Sequence, residues 1–516
     1  MLKKLSILLL ALLAVACGSE PESGYTPVPV IEITFKAFKQ DGVVLTLKSL
    51  NVDEVYGVAC TSSAAVPSPA HIVQNGTKAE GKELFIRGLK NDSDYIVYAV
   101  GVAGKEYSKV QSLSFTTLSF YPWEVVRDGL LSFADLDLLP GGKTKKTPNT
   151  WDSARLLPHV TYVDRNGQEQ WLHEAFLYIG SEDAERNRIL CIAEGENHSG
   201  NKDSWKDFAD YWLGECGVND QLDRTIADAV SRIGQPSFKH KVVMTMPDPI
   251  MLEYFYDKQS STTYWGAVNG RQLNFSNPDD QALAYKWYID YVREKWRDNT
   301  PENLELAGFY ILSEILVAKP SGWNYKYKQW DKILPTVSEY LHSLNYTLNW
   351  IPYYQADGYD MTKQLGIDYT WIQPNKYWDY PEKKNKKNWS WVFNTMQTYG
   401  HGMEIEFEGS HGESGWSQYE PDVPRTSSSI LETVRTNNDA QGTKRGAANP
   451  QAARNKQLLR DYMNEFKAAG YYGTARIATY SGTNAMYELA TSTDAKDKEM
   501  YLEYCEFIVN SPLRKQ

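Results

Sequence analysis

The residues best suited to chemistry are acids at the ends of apolar runs. In Met403-Glu404-Ile405-Glu406-Phe407-Glu408-Gly409 apolar and acidic residues alternate. A strand places alternate side chains on one face. Met403, Ile405 and Phe407 therefore share one face, and Glu404, Glu406 and Glu408 share the other. Three stacked carboxylates repel one another and lose hydration, so stability alone does not favour them. Either partners meet them or at least one pKa rises, and a raised pKa is what a proton donor at neutral pH needs. The opposing reading is an exposed edge strand whose acids are solvated. A second acid, Glu314, follows Gly308-Phe309-Tyr310-Ile311-Leu312-Ser313. Two carboxylates, one a proton donor and one a nucleophile or base, cleave a glycosidic bond without a cofactor. Glu314 and Glu406 are the candidate pair, with Glu314 expected to be the acid of raised pKa. Glu404 lies deeper and is expected to act as a hydrogen-bond partner. Glu408 lies nearer solvent and is the alternative to Glu406.

Other strand ends carry groups that suit sugar. Trp350-Ile351-Pro352-Tyr353-Tyr354 leads into Gln355-Ala356-Asp357-Gly358, and Trp371-Ile372-Gln373-Pro374-Asn375-Lys376-Tyr377-Trp378 follows the next apolar run. Gln373 and Asn375 both donate and accept, which suits hydroxyl recognition. Trp350, Tyr353, Tyr354, Tyr377 and Trp378 offer rings to stack on sugar faces, and Tyr480 is a weaker candidate of the same kind. Asp248 and Asp357 are supporting acids. The opposing reading makes these residues the packing of a barrel end. The composition agrees with either, having 35 Tyr and 16 Trp beside 16 Phe. No G-x-S-x-G, H-E-x-x-H, Walker A or G-x-G-x-x-G occurs in the chain, so the common serine-hydrolase, zinc-protease and nucleotide signatures are missing. Asp135-Leu136-Asp137 could start a calcium loop but lacks further ligands at proper spacing. His401 and His411 bracket the glutamate run and either line the mouth or are merely exposed loop histidines, the more common case. No cofactor and no obligatory metal are expected.

These groups need a scaffold. From about Ser119, helical patterns alternate with short apolar runs, as in α/β folds with a parallel sheet. Strands are expected at Val160–Val163, Phe176–Ile179, Val242–Met246, Gly308–Leu312, Leu348–Tyr353, Thr370–Gln373, Glu404–Phe407 and Arg476–Tyr480. Helices are expected at 281–297, 327–344, 451–469 and 499–509. The fold class is α/β, a (β/α)8 TIM-like barrel over residues 119–516. Only about a dozen residues separate the first two strands, too few for a comfortable crossover helix, so the first could instead form a hairpin. Counted from Val160–Val163, Glu314 ends strand four and Glu406 lies near the end of strand seven. This resembles the large glycosidase clan with its acid/base on strand four and its nucleophile on strand seven. Ser313 stands where that clan usually has Asn. Leu131–Gly142, the two Trp/Tyr-rich strand ends and Met403–Glu408 together resemble a family of bacterial lipoproteins of unknown function with glycosidase-like barrels. That resemblance implies work on polysaccharide and carries no catalytic residue with it.

Residues 30–118 alternate in the manner of half-buried strands, at Ile31–Phe35, Val43–Leu47, Val55–Cys60, Leu84–Ile86, Tyr95–Val102 and Ser112–Thr116. They predict one β-sandwich. Gly88-Leu89-Lys90-Asn91-Asp92-Ser93-Asp94-Tyr95 resembles the tyrosine corner of fibronectin type III modules. A spacer role is expected for this N-terminal all-β, fibronectin III-like module. At the start, Lys3 and Lys4 precede an apolar run, and Leu13-Ala14-Val15-Ala16-Cys17 resembles a bacterial lipobox. Residues 1–16 therefore read as a signal peptide and Cys17 as a lipidation site. Residues 17–29 read as an acidic, Pro-containing tether. The four remaining cysteines are far apart and are expected as free thiols. Formal charge is −11 and no basic block occurs, which argues against nucleic acid as a partner. The expectation is a monomer, lipid-anchored to the bacterial outer membrane, on the cell surface or its periplasmic face. Its partner is an oligo- or polysaccharide, cleaved by a glycoside hydrolase. The alternative is a non-catalytic glycan-binding lipoprotein.

Overall fold

The computed structural model describes residues 28–514 except 40–41, 62–64, 91–92, 118–122, 124–125, 142, 145–146, 149–150, 184–187, 192–197, 251–261, 300, 317–328, 377–386, 407–451 and 483–484. Internal contacts divide the chain into two units, Met1–Tyr121 and Pro122–Gln516.

The first unit holds two antiparallel sheets. Val30–Lys39, Gly42–Leu50 and Glu83–Arg87 form one. Glu54–Thr61, Thr77–Lys78, Asp94–Ala103, Glu106–Tyr107 and Gln111–Thr116 form the other. Their apolar faces meet over Ile33, Leu45 and Leu84 from one sheet and Val55, Val97 and Ala99 from the other. This is a β-sandwich. The Tyr95 hydroxyl accepts a hydrogen bond from the Lys90 N–H at 3.1 Å, the contact by which a tyrosine corner pins the turn before its strand.

The second unit is a closed barrel of eight parallel strands in sequential order. Strand one is Asp135–Pro140, strand two Ala175–Ile179, strand three His240–Met246 and strand four Leu304–Ile311. Strand five is Thr347–Trp350, strand six Tyr369–Ile372, strand seven Gly402–Glu406 and strand eight Ile477–Tyr480. Strand eight pairs with strand one, Ile477 beside Asp135 and Thr479 beside Asp137, which closes the ring. The longest helices among the described residues are Pro278–Asn299, Ala452–Ala468, Val218–Ile233 and Ala495–Val509.

Strand one corrects the expected order. Val160 ends a helix, Ser153–Val160, and Thr161–Val163 pairs antiparallel with Glu169–Trp171. That hairpin lies outside the barrel, as the short spacing to the next strand allowed. Asp135-Leu136-Asp137 belongs to a barrel strand and to no calcium loop. Its two acids are buried because partners meet them. The His159 Nδ1 lies 2.6 Å from Asp137, and Asp135 accepts the Glu174 N–H at 3.0 Å. One strand is exchanged for another ahead of strand two, so strands four and seven keep their numbers.

Strand seven is set by its neighbours. Gly400, at φ +74°, ends the helix Trp389–Tyr399 in the left-handed conformation that suits glycine. At Gly402 a Cβ would run into the Arg476 carbonyl and the Trp371 ring. Strand seven thus enters the barrel where only glycine fits.

Candidate active site

Glu314 and Glu406 stand at the carboxyl ends of strands four and seven, the end of a parallel barrel where loops build active sites. Glu406 is the last residue of its strand and is buried. Glu314 follows its strand at the mouth, with solvent on one side. The Gln373 side-chain N–H2 donates to Glu314 Oε1 at 3.1 Å. Lost hydration raises the Glu314 pKa, and the Gln373 hydrogen bond opposes the rise.

Glu406 is held more tightly. The Tyr462 hydroxyl donates to Glu406 Oε2, and the Asn375 backbone N–H also hydrogen-bonds to the carboxylate. Burial pushes Glu406 up to about 7. Tyr462, Asn375 and the Lys387 charge pull it down, and the Glu314 charge pushes it further up. Glu406 therefore feels the charge of Glu314. Burial raises both acids, Glu314 as expected of the proton donor and Glu406 with it.

Glu404 is buried two residues below Glu406 on the same strand. Its charge, with those of Glu314 and Asp248, bears on the buried hydroxyl of Tyr310 in strand four. Asp248 is buried after strand three, its N–H bound to the Leu190 carbonyl at 2.8 Å, and it lies beside Tyr285 as well as Tyr310. Asp357 is exposed, and its charge and that of Glu314 add to the burial that raises Tyr353. Tyr353 is half-buried and bridges to Gln373. These residues gather at one end of the barrel. Tyr480, half-buried, is the register neighbour of Glu406 in strand eight.

Three expected ligand contacts play other parts. Trp350 is fully buried, and its indole N–H donates to the Ser313 carbonyl at 2.7 Å. It braces the chain just before Glu314 and has no face left for sugar. The Asn375 side-chain oxygen accepts the Tyr354 N–H at 2.9 Å, so that atom is already used within the fold. The Tyr354 hydroxyl accepts the Asn388 N–H at 3.1 Å, and its ring packs on Trp391. His401 precedes strand seven, at the end opposite Glu406, where its Nε2 lies 2.8 Å from the Tyr359 carbonyl. Its placement at the mouth is thus corrected. Cys17, Tyr377, Trp378, Glu408 and His411 lie outside the described residues.

Sequence reasoning missed Tyr462 and Tyr310. Leu459, Tyr462, Met463 and Phe466 recur at helical spacing and read as a core stripe, which they also are. Tyr310 lies on strand four, four residues before Glu314, and that spacing was the available signal.

Residues 135–424 match the family described as Domain of unknown function (DUF4855). That is more than half of the chain, which therefore belongs to this family. No curated protein matches it. Among solved structures it is similar to the chitinase ChiW from Paenibacillus sp. str. FPU-7, at 9% identity and a TM-score of 0.35. The match covers 95% of this chain and 42% of the chitinase, so the chain spans about two-fifths of that enzyme's length. It is also similar to the β-glucuronidase of Ruminococcus gnavus, at 8% identity and a TM-score of 0.28, over 87% of this chain and 60% of that one. The fn3 domain of the human collagen alpha-1(XX) chain is similar at 23% identity and a TM-score of 0.16, over 20% of this chain and 97% of that domain.

Proposed function

We propose that the barrel is a glycoside hydrolase that uses Glu314 and Glu406 as its carboxylate pair. The observation that carries the proposal is the placement of two acids at the carboxyl ends of strands four and seven, where burial raises both and the Glu314 charge adds to the rise at Glu406. Glycosidic cleavage needs one carboxyl group protonated and one ionised beside it. Glu406 accepts two hydrogen bonds, from Tyr462 and Asn375, which suits the anionic nucleophile or base. Glu314 meets solvent, which suits the donor to a departing sugar oxygen. A sugar seated at the mouth strips the remaining water from Glu314 and raises its pKa, while the donors on Glu406 stay in place. Substrate binding then places the proton on Glu314 and readies the pair. The ring of Tyr353 stands beside Glu314 and offers a stacking face for a sugar.

The partner is an oligo- or polysaccharide, and the enzyme acts as a lipid-anchored monomer on the bacterial outer membrane, tethered through Cys17. The sandwich serves as a fibronectin III-like spacer between tether and barrel. The test is incubation of the full chain with a panel of complex glycans, reading new reducing ends and the anomer first formed. Cleavage of at least one glycan is expected. Binding of a panel member without any cleavage would overturn the hydrolase reading in favour of a glycan-binding protein.

A further inference from the structure

One short turn reaches both acids. Gln373-Pro374-Asn375-Lys376 follows strand six. Gln373 donates through its side chain to Glu314 at 3.1 Å. Two residues on, the Asn375 N–H reaches Glu406. The next N–H, of Lys376, donates to the Tyr462 hydroxyl at 2.9 Å, and that hydroxyl donates in turn to Glu406. Asn375 sits at φ +52°, in the left-handed region that asparagine tolerates better than most residues. Its side-chain oxygen ties the turn to Tyr354 at 2.9 Å. Tyr462 itself is fully buried on the helix Ala452–Ala468, with Trp389 edge-on to its ring at 5.3 Å.

We propose that Tyr462 is a positioning residue: its hydroxyl fixes the Glu406 carboxyl and, through the Lys376 N–H, ties it to the same turn whose Gln373 holds Glu314. A phenol that accepts one N–H is polarised and becomes a better donor to the carboxylate. Here the accepted N–H belongs to the main chain of the turn. A shift of the turn at Gln373 therefore reaches Glu406 as well as Glu314, and the two acids are set as a unit. The charged and titratable groups facing Glu406 are few among the described residues. Glu314 comes from the end of strand four, Lys387 from the segment before the helix Trp389–Tyr399, Tyr462 from its own helix, Glu404 from two residues below on strand seven and Tyr480 from the neighbouring position of strand eight. Lys376 turns its ammonium to the Lys387 carbonyl at 2.6 Å, and Lys387 turns its own to the Asn375 carbonyl at 3.2 Å. Both lysines hold the segment together, and Tyr462 is the side chain that donates directly to the acid.

The catalytic consequence rests on the hydrolase reading, but the effect on Glu406 does not. Tyr462→Phe removes the oxygen and keeps the ring against Trp389. In the full chain, isotope-edited infrared spectra of labelled glutamate follow the protonated Glu406 carboxyl, which is assigned by its loss in Glu406→Gln. The titration midpoint is expected to move up by about one pH unit in Tyr462→Phe. If a substrate has been found, kcat should fall roughly 10- to 100-fold with little change in KM. The basic limb of the kcat/KM profile, which reports the unliganded enzyme, should move in the same sense as the infrared midpoint. An unmoved midpoint in a folded Tyr462→Phe protein would overturn the inference. A shifted midpoint in a protein that cleaves no glycan would leave it standing and defeat the hydrolase reading alone. Should Tyr462→Phe fail to fold, the double variant Tyr462→Phe/Glu406→Gln decides. Folding restored by removal of the acid supports the link, and a double variant that stays unfolded contradicts it.

Discussion

A buried acid costs stability, and Glu406 shows how. Its carboxyl titrates at about 7 in the fold against an ordinary 4.5. In the unfolded chain it ionises from about pH 4.5 upward. Over that window the folded state is penalised progressively, and above pH 7 the penalty is complete. Glu406→Gln removes the group that ionises. Relative to the unsubstituted protein, the variant should be more stable at pH 8 than at pH 4.5 by about 1–3 kcal/mol. Urea denaturation at the two pH values measures it, and an equal stability difference at both would contradict the burial account. The same residue was legible in the sequence through its alternation with Met403 and Ile405. The residue that holds it, Tyr462, was not. A tyrosine in an apolar helical stripe carries no mark that its hydroxyl reaches a strand-end acid. Trp350 misled for the converse reason: a tryptophan at a strand end looks the same in sequence whether its ring meets sugar or, as here, its N–H braces the Ser313 carbonyl.

Among the elements, most barrel strands after the first were readable as apolar runs broken by turn residues, and strand seven by its strict alternation of apolar and acidic residues. Strand one was not, because Asp135 and Asp137 gave it a polar look. Their partners come from distant positions: His159, Glu174 and, 3.9 Å from Asp135, Arg514 near the C-terminus. The same end of the barrel holds His240, at the start of strand three. Trp171, Phe176 and Phe238 surround its ring, and neither nitrogen has a hydrogen-bond partner among the described residues. Burial lowers its pKa to about 3 from an ordinary 6.5. The unfolded chain gains that proton as pH falls below about 6.5 while the fold refuses it, so stability is lost on acidification. Asp135, raised to about 7 by burial, tilts the curve the other way, losing stability as pH rises from about 4 to 7. The effect of His240 is thus visible in a variant minus the parent. His240→Phe should gain about 2 kcal/mol more at pH 5 than at pH 7.5. A pH-independent difference would mean that His240 takes up its proton in the fold as readily as in the unfolded chain.

For the whole molecule, the chain joins a small sandwich to a large barrel, each with its own core. A sandwich with its own buried face does not depend on a neighbour for its stability. Residues 28–118 expressed alone should give a cooperative melt. A chain beginning near residue 122 should keep its activity on soluble glycan, whereas loss of that activity in a folded barrel would give the sandwich a part in the site. The lipobox before Cys17 makes a separate prediction. In cells, Cys17→Ser should move the protein from the membrane fraction to a soluble one. An unchanged fractionation would remove the lipid anchor from the account.

The central claim is that Glu314 and Glu406 act together on a glycosidic bond. The most direct measurement is turnover of a cleaved glycan by the unsubstituted chain, Glu314→Gln and Glu406→Gln, with glycan affinity measured on the same preparations. Each substitution should lower kcat by two or more orders of magnitude and leave affinity within about tenfold. Variants that bind and cleave like the unsubstituted protein would contradict the claim.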